Sequence, residues 1–361
     1  MKIKFVDLSN EFKKNKNQLR KIFEKVGNSG QFVFGNELNK FEKNVSKFLG
    51  VKYAIGVGNW TEGMVIALKA LNLNKDDEII TVSHSFIATV GAISYSGYKS
   101  KLVDIDETFN IDPSFLEQKI TKKTKAIMPV HLTGMPCQID KIKKLCKKYK
   151  LYLIEDAAQS FGAKYKNKFT GSFGDISIFS LHPRKNFHVY GDGGIITTNN
   201  QNLYKKILLL RNHGLLNRDI ATTWGTNSRL DNLQAAFGNY YLRKINQINK
   251  KHREIANFYN NKLTNRVIKP EYDKTKYEPI FHQYVIRVKD RSKLIKYLSK
   301  NGIETGIHYP VPIHLQPCYK RKIMLKNTEL FSKEILSLPI HPSLKKNELN
   351  YIVDKINHYY L

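Results

Sequence analysis

Residues 176–194, ISIFSLHPRKNFHVYGDGG, constrain what this chain can fold into more than any other stretch. An apolar run leads into a loop with one lysine, Lys185, and a glycine-rich turn precedes a second β-like run, Ile195–Thr198. A lysine that follows a buried strand, in a loop that glycines allow to fold tightly, is uncommon. If it is partly desolvated, its pKa falls and the amine can form a Schiff base. The alternative is a solvated surface lysine, the usual finding in a lysine-rich chain.

Strand-like runs alternate with helical segments through the first half of the chain. This order predicts an α/β fold with a mainly parallel sheet that helices cover on both faces. In such sheets ligands bind at the carboxyl ends of the strands, where Asp156, Ser180 and the loop after Val82 fall. The runs are 79–82, 102–105, 126–130, 151–155, 176–179 and 194–198.

The pattern changes in the last third of the chain. A long helix with one apolar face is predicted from Arg229 onward, and shorter mixed elements follow residue 250. The 361 residues suffice for two domains. We therefore predict a large domain over residues 1–245, with an N-terminal helical segment, and a smaller C-terminal α+β domain over residues 246–361.

A second candidate site follows the β-run Tyr53–Val57. Asn59 and Glu62 are three residues apart, which predicts an N-cap and its capping-box partner. A strand, a glycine turn and a helix start offer free amide N–H groups and a positive dipole end to a phosphate, with Thr61 in the first turn. Most capped helices bind nothing, so this signal is weak alone.

Three further side chains fall at strand ends. Asp156 follows a buried strand, where a carboxylate needs a cationic partner or serves as a helix N-cap. Ser180 can donate to a phosphate, and Phe86 offers a flat ring that either stacks on a ligand or packs in the core. A lysine, a carboxylate, a stacking ring and a phosphate cradle are together what pyridoxal 5′-phosphate requires.

Composition excludes other classes of protein. Cys137, Cys146 and Cys318 are too few and too scattered for a disulfide framework or a metal cluster. With no apolar run of membrane length and no signal peptide, we expect a cytoplasmic protein. The net charge of +29 is spread along the chain. It indicates a compositional bias or a general attraction for polyanions such as nucleotide diphosphates, and a nucleic-acid-binding protein is the rival interpretation.

Nearly the whole chain resembles the DegT/DnrJ/EryC1/StrS sugar aminotransferases, which have the fold type I architecture of aspartate aminotransferase. The resemblance is specific because many motifs occur in the family's order. They are Val6–Leu8, Ser29–Gly35, Tyr53–Val57, His84–Thr89, Glu155–Gln159, Phe179–Asn186, Gly191–Gly194, Asn227–Asp231 and His308–Pro317.

The resemblance implies a role for each matching residue. Lys185 would hold the cofactor as an imine and shuttle a proton, and Asp156 would pair with the pyridine nitrogen. Gln159 would hydrogen-bond the ring hydroxyl and Phe86 would stack on the ring. The remaining implied contacts are the cofactor phosphate for Thr61, the Glu62 backbone and Ser180, the phosphate of the neighbouring subunit of a homodimer for Asn227, and the nucleotide sugar for Tyr309 and His314.

One position departs from the family's pattern. The family usually has Ser-Gly-Thr at the phosphate turn, where this chain has Asn59-Trp60-Thr61. We expect Thr61 to retain phosphate binding, while Trp60 either reshapes the turn or enters the substrate cleft.

The resemblance implies transfer of an amino group from L-glutamate to a keto group of a nucleotide-linked keto-deoxysugar. Lys185-Asn186 followed by Gly191-Asp192-Gly193-Gly194 is similar to family members that act at sugar C3, whereas those acting at C4 more often have glutamate before the paired glycines. The alternatives are action at C4, a non-nucleotide sugar or cyclitol as acceptor, a sugar dehydratase, or a cofactor-binding regulator without turnover. Dehydratases of the family replace the lysine with histidine, so Lys185 argues against that activity.

Overall fold

Helices and strands alternate along most of the chain. The computed structural model describes residues 1–361. The α-helices are α1 (Leu8–Ser29), α2 (Asn36–Leu49), α3 (Trp60–Ala70), α4 (Ala88–Tyr95), α5 (Ile139–Tyr149), α6 (Gln201–Leu210), α7 (Asn232–Leu242), α8 (Ile245–Lys262), α9 (Arg291–Lys300), α10 (Lys326–Glu334) and α11 (Lys346–Tyr359). The strands are β1 (Tyr53–Val57), β2 (Glu78–Val82), β3 (Lys99–Val103), β4 (Thr124–Ile127), β5 (Tyr152–Asp156), β6 (Lys164–Tyr165), β7 (Lys168–Phe169), β8 (Ile176–Ser180), β9 (Gly194–Thr198), β10 (Tyr277–Glu278), β11 (Tyr284–Arg287) and β12 (Ile335–Leu338).

A seven-stranded sheet, in the order β1-β9-β8-β5-β4-β2-β3, forms the centre of the large domain. The strands β3, β2, β4, β5 and β8 pair in parallel, which confirms the predicted α/β fold. β9 runs antiparallel to both β8 and β1. The reason is the connection, since residues 181–193 return from β8 to β9 as a loop without the crossover helix that a parallel pair needs. This returning loop carries Lys185 at the carboxyl end of β8.

Helices cover both faces of the sheet. α3, α4 and α6 bury apolar side chains against one face, with Met64, Ile93 and Ile207 fully buried there. α1, α2 and α7 cover the other face, where Phe41 and Leu38 are fully buried. Because both faces are covered, the inner strands consist of almost continuously buried residues.

A second apolar core joins α8, α9 and α11 to the antiparallel pair β11–β12. The chain's start belongs to it too, because Ile3 pairs with Ile303 and is buried there. α8 contributes to both cores, with Ile245 in the large-domain core and Ile255 in this one. The division at residues 245 and 246 therefore falls at the first turn of a helix that connects the two cores, and it stays a prediction.

Three observations on the helices bear on the sequence analysis. The helix predicted from Arg229 begins at Asn232, because Leu230 is buried in the approach to the helix, against Gly56. Cys146 is buried on the apolar face of α5. None of the helices combines the length and apolar character needed to cross a membrane.

Candidate active site

A cavity of about 920 Å³ opens at the carboxyl ends of β5 and β8. Most of the predicted site residues line it, although they come from separate parts of the sequence: Thr61, Phe86, Asp156, Gln159, Ser180, Lys185 and Tyr309. Glu62, Asn227 and His314 lie outside it. The topological rule for ligand sites in parallel sheets thus explains the position of the cavity.

Lys185 lies in the loop that returns from β8 to β9. Its backbone N–H donates to the His182 carbonyl at 2.8 Å, and its carbonyl accepts from His188 Nδ1 at 3.1 Å, so the loop is held at both sides. The half-buried side chain faces the cavity. Desolvation lowers the pKa of Lys185 to about 8, and the negative charge of Asp156 only partly opposes this. This environment is that of a nucleophilic amine and does not fit a solvated surface lysine.

Asp156 ends β5 and is 2% exposed. Thr89 Oγ1 donates to its Oδ2 at 3.0 Å, and the Ala158 N–H donates to its Oδ1 at 3.1 Å. Burial raises the pKa of Asp156 to about 6, against these two hydrogen bonds and the charge of Lys185. No helix starts after Asp156, so the alternative role as an N-cap is wrong. The carboxylate is available to a cationic group in the cavity.

Glu155, the preceding residue, has a different role because successive strand residues point to opposite faces. Its carboxylate is fully buried and accepts from His131 Nε2 at 3.0 Å and from the N–H groups of Gly171 and Gly174 at 2.8 and 2.7 Å. The N–H of Phe173 and the hydroxyl of Ser177 complete its partners. Glu155 therefore holds the turn before β8 and does not take part in the cavity.

Gln159 is fixed in one orientation. Its Oε1 accepts from the Thr133 N–H at 2.8 Å, which leaves Nε2 to donate to the Tyr309 hydroxyl at 3.3 Å. The rings of Tyr309 and Phe86 are 5.9 Å apart at 43°. Phe86 is 56% exposed, so the alternative of core packing does not hold. One side of the cavity thus offers an aromatic face and a fixed amide donor.

The start of α3 provides another part of the cavity wall. Asn59 caps the helix, since its Oδ1 accepts from the Glu62 N–H at 2.9 Å. The amides of Trp60 and Thr61, the first two of the helix, have no intrahelical acceptor and can donate to an anion. The Glu62 amide is already engaged by the cap, so this geometry does not support the predicted contact between the Glu62 backbone and a phosphate.

Trp60 occupies the position where the family's pattern has glycine. It is the first residue of α3 and is 8% exposed, with its ring in the core between α3 and the sheet and one edge in the cavity wall. The cap by Asn59 is intact, so the tryptophan does not reshape the helix start.

Ser180 is the last residue of β8 and lines the same cavity as Lys185. It is 9% exposed, and its Oγ accepts from the His182 N–H at 3.3 Å. The hydroxyl hydrogen stays free to donate to an anion. Together the groups in the cavity fit pyridoxal 5′-phosphate, because amide and hydroxyl donors, an aromatic face, a buried carboxylate and a desolvated amine are all present.

Two predicted residues lie elsewhere. Asn227 is exposed on a segment that pairs back to Asn212, away from this chain's own cavity. His314 is buried, with Nδ1 at 2.6 Å from Ser83 Oγ and Nε2 at 3.1 Å from Glu329. It ties the segment around Tyr309 to the end of β2, and this geometry does not support a direct contact with substrate.

Sequence reasoning missed a set of basic side chains in the cavity wall. The set consists of six histidines, one arginine and four lysines besides Lys185: His182, His188, His252, His282, His308, His341, Arg184, Lys14, Lys244, Lys250 and Lys251. Part of this set had a signal in the sequence. Lys244, Gln247 and Lys251 recur at helical spacing and so share one face of the α8 segment.

Comparisons with known proteins bear on the family of this chain. The model of the DegT/DnrJ/EryC1/StrS aminotransferase family matches residues 13–357. The dTDP-3-amino-3,6-dideoxy-alpha-D-galactopyranose transaminase of Aneurinibacillus thermoaerophilus is 38% identical over 99% of both chains. The solved structure of S. venezuelae DesV in complex with a ketimine intermediate is 32% identical, with a TM-score of 0.96 over 99% of this chain and 98% of that one.

A second solved structure bears on the cofactor. NtdA from Bacillus subtilis, with bound cofactor PMP, is 32% identical, with a TM-score of 0.92 over 99% of this chain and 85% of that one. Aminotransferases of this family use pyridoxal 5′-phosphate, the cofactor that the cavity fits. The chain belongs to the DegT/DnrJ/EryC1/StrS aminotransferase family.

Proposed function

We propose that this enzyme moves an amino group from L-glutamate to the C3 keto group of a nucleotide-linked keto-deoxysugar. The observation that carries the proposal is the pair Lys185 and Asp156, a desolvated amine and a buried carboxylate in one cavity. A regulator without turnover has no need of an amine whose pKa is about 8.

The chain's own groups divide between the parts of the cofactor. The free amides at the start of α3, with Thr61 and Ser180, are placed to hold its phosphate. Asp156 would lie beside the ring nitrogen, Gln159 Nε2 would donate to the ring hydroxyl, and Phe86 would cover one face of the ring. When bound, the cofactor supplies an aldehyde that takes up the amino group and a ring that accepts electrons.

Lys185 moves the proton. An amine with a pKa of about 8 is partly neutral near neutral pH, so its Nζ can accept a proton from a carbon acid and return it. Asp156, with a pKa of about 6, is ionised at the same pH and stabilises a protonated ring nitrogen beside it. Lys185 therefore acts through its neutral form and Asp156 through its ionised form, and the different surroundings of the two groups set this difference.

The position of amination rests on the loop after β8. Asn186 and Asp192 both line the cavity. The Nδ2 of Asn186 is engaged, because it donates to the Phe161 carbonyl at 2.8 Å and to Asn249 Oδ1 at 2.9 Å, and it thereby shapes the loop that carries Lys185. The loop sequence and the 3-amino product named for the Aneurinibacillus relative both support C3.

We also propose a homodimer with shared active sites, located in the cytoplasm. The segment that carries Asn227 exposes Leu216, Ile220 and Trp224, at 65, 54 and 96%. Exposed apolar side chains of this number on one segment favour contact with another chain. In such a dimer Asn227 would reach the phosphate site of the partner.

The test starts from the loaded, yellow enzyme and L-glutamate. Bleaching of the yellow absorption band shows uptake of the amino group, and no bleaching contradicts the proposal. Adding dTDP-, UDP- and GDP-linked 3-keto and 4-keto sugars then restores the band only for the true acceptor. Product analysis distinguishes amination at C3 from amination at C4 and from dehydration.

A further inference from the structure

The cavity extends beyond the groups assigned to the cofactor, to a wall built by α1 and α8. We call this the lysine wall and define it as Lys14, Lys244, Lys250 and Lys251. A cavity of about 920 Å³ lies at the upper end of the ~300–1,000 Å³ that small-molecule sites occupy. The space therefore accommodates a second, larger ligand beside the cofactor.

The lysine wall is close to the catalytic loop. His188, which donates to the Lys185 carbonyl, lies with its Nε2 3.1 Å from Glu11 Oε1 on α1. Lys14 follows Glu11 by three residues and so lies about 5 Å further along the helix axis. In the next position Asn15 accepts from Lys244 Nζ at 2.8 Å, which joins α1 to the start of α8.

Most of the positive charge on this wall has no carboxylate partner. The acids that line the cavity at α1 and α8 are already paired: Asp7 with Lys4 at 3.0 Å, Glu11 with His188 at 3.1 Å and Glu254 with Lys251 at 3.3 Å. Lys14, Lys244 and Lys250 have no carboxylate oxygen within 4.0 Å. Three lysines that line one cavity and have no carboxylate partner attract a polyanion.

We propose that the lysine wall binds the diphosphate of the nucleotide-linked sugar; this rests on the proposed function. The diphosphate is attached at the anomeric carbon, two ring bonds from a C3 keto group. When the keto carbon is at Lys185, the diphosphate is therefore displaced from the catalytic loop, and Lys14 lies about one helical turn along α1 from Glu11, which contacts His188 of that loop. Two linked phosphates also match charges that are spread over separate lysines.

The same geometry excludes other polyanions as the ligand. The ammonium groups line a cavity, which a nucleic-acid duplex cannot enter. L-Glutamate carries a single net negative charge and must bring its amino group to the cofactor. The lysine wall has three ammonium groups without a carboxylate partner, which is more positive charge than the single net negative charge of L-glutamate requires.

The test uses the cofactor-loaded protein, so that the cofactor's own phosphate site is filled. Lys14→Gln combined with Lys250→Gln removes two exposed ammonium groups that make no ion pair. The matched control is Lys144→Gln with Lys147→Gln, which removes two exposed lysines of α5 outside the cavity. Calorimetry then measures the Kd for dTDP, UDP and inorganic pyrophosphate, and the absorption band shows that each variant is loaded.

We expect the Kd for all three diphosphates to rise at least about tenfold in the lysine-wall variant, with a weaker salt dependence, and to stay unchanged in the control. An unchanged Kd in the lysine-wall variant, or an equal rise in the control, overturns the proposal. If the wild type aminates no nucleotide sugar, but binds pyrophosphate and the lysine-wall variant does not, the proposed function fails and the diphosphate site stands. If it aminates nucleotide sugars while the variant binds dTDP normally, only the diphosphate site fails.

Discussion

Lys185 and Asp156 line one cavity, yet no oxygen of Asp156 lies within 4.0 Å of the Lys185 amine. The two groups influence each other's pKa through space without forming an ion pair. A direct ion pair would hold the amine protonated and block it as a nucleophile. The separation therefore keeps the amine reactive.

Lys185→Ala tests the role of the amine. We expect turnover to fall by roughly 10⁴-fold or more, because no other group in the loop can replace the nucleophile, and the yellow absorption band to be lost. Absorption spectra and product formation measure the two effects. Lys144→Ala on α5 is the control and should retain both. A Lys185→Ala protein that still turns over contradicts the assignment.

Asp156→Asn tests the carboxylate without changing its size. We expect the cofactor to stay bound while the rate falls about 100-fold or more, since the ring nitrogen loses its charged partner. Single-turnover kinetics with L-glutamate measure the rate, and the absorption band measures binding. A rate equal to the wild type would show that Asp156 does not tune the ring.

The Lys185 pKa predicts a pH dependence for loading. Only the neutral amine attacks the aldehyde, so the rate at which apoprotein takes up pyridoxal 5′-phosphate should fall about tenfold per pH unit below the pKa of about 8. The sign follows from desolvation, which lowers the pKa and makes the amine neutral at a lower pH than an ordinary lysine. Stopped-flow absorption from pH 6 to 9 measures this profile. A rate that keeps rising tenfold per unit up to pH 9 would place the pKa near that of a solvated lysine.

Glu155→Ala tests whether Glu155 stabilises the fold, in contrast to its neighbour Asp156, which lines the cavity. The substitution leaves His131 and the buried N–H groups of Gly171 and Gly174 without an acceptor. Each such group costs about 1–3 kcal/mol, so we expect the free energy of unfolding to fall by about 3 kcal/mol or more. Urea unfolding measures the change, and Glu117→Ala at an exposed position is the control. An unfolding midpoint equal to the wild type contradicts this role.

Much of the site follows from one rule of topology. Asp156 and Ser180 end neighbouring parallel strands, and Phe86 follows a third, so their strand positions alone bring them to one edge of the sheet. The capped helix with Thr61 reaches the same edge because β1 lies beside β9. For these residues, the alternation of strands and helices in the sequence was sufficient to predict that they lie at one edge of the sheet.

Other parts of the site depend on distances that the sequence pattern does not contain. His282 and Lys14 lie far apart in the chain and face the cavity only because α1 and the small domain close over the strand ends. The direction of β9 depends on how the Lys185 loop folds, which its glycines permit without specifying. Packing between distant elements decides which of these side chains face the cavity, and the fold of one loop decides the direction of β9.

The proposed sharing of active sites between subunits gives a prediction about mixed dimers. If Asn227 serves the partner's phosphate site, one chain with Lys185→Ala paired with one chain with Asn227→Asp has one intact site and one doubly defective site. Asn227→Asp keeps the size of the side chain and places a negative charge against the phosphate. We expect such a dimer, isolated with two affinity tags, to retain about half of the wild-type activity.

The matched control places both substitutions in one chain and pairs it with the wild type. Each site of that dimer then contains one defect, so it should be inactive although it carries the same two substitutions. The opposite result, activity with the doubly substituted chain and none with the separated substitutions, would mean that Asn227 serves its own chain. The single chain speaks against that outcome, because Asn227 is exposed and does not line its own cavity. The two mixed dimers therefore decide which subunit Asn227 completes.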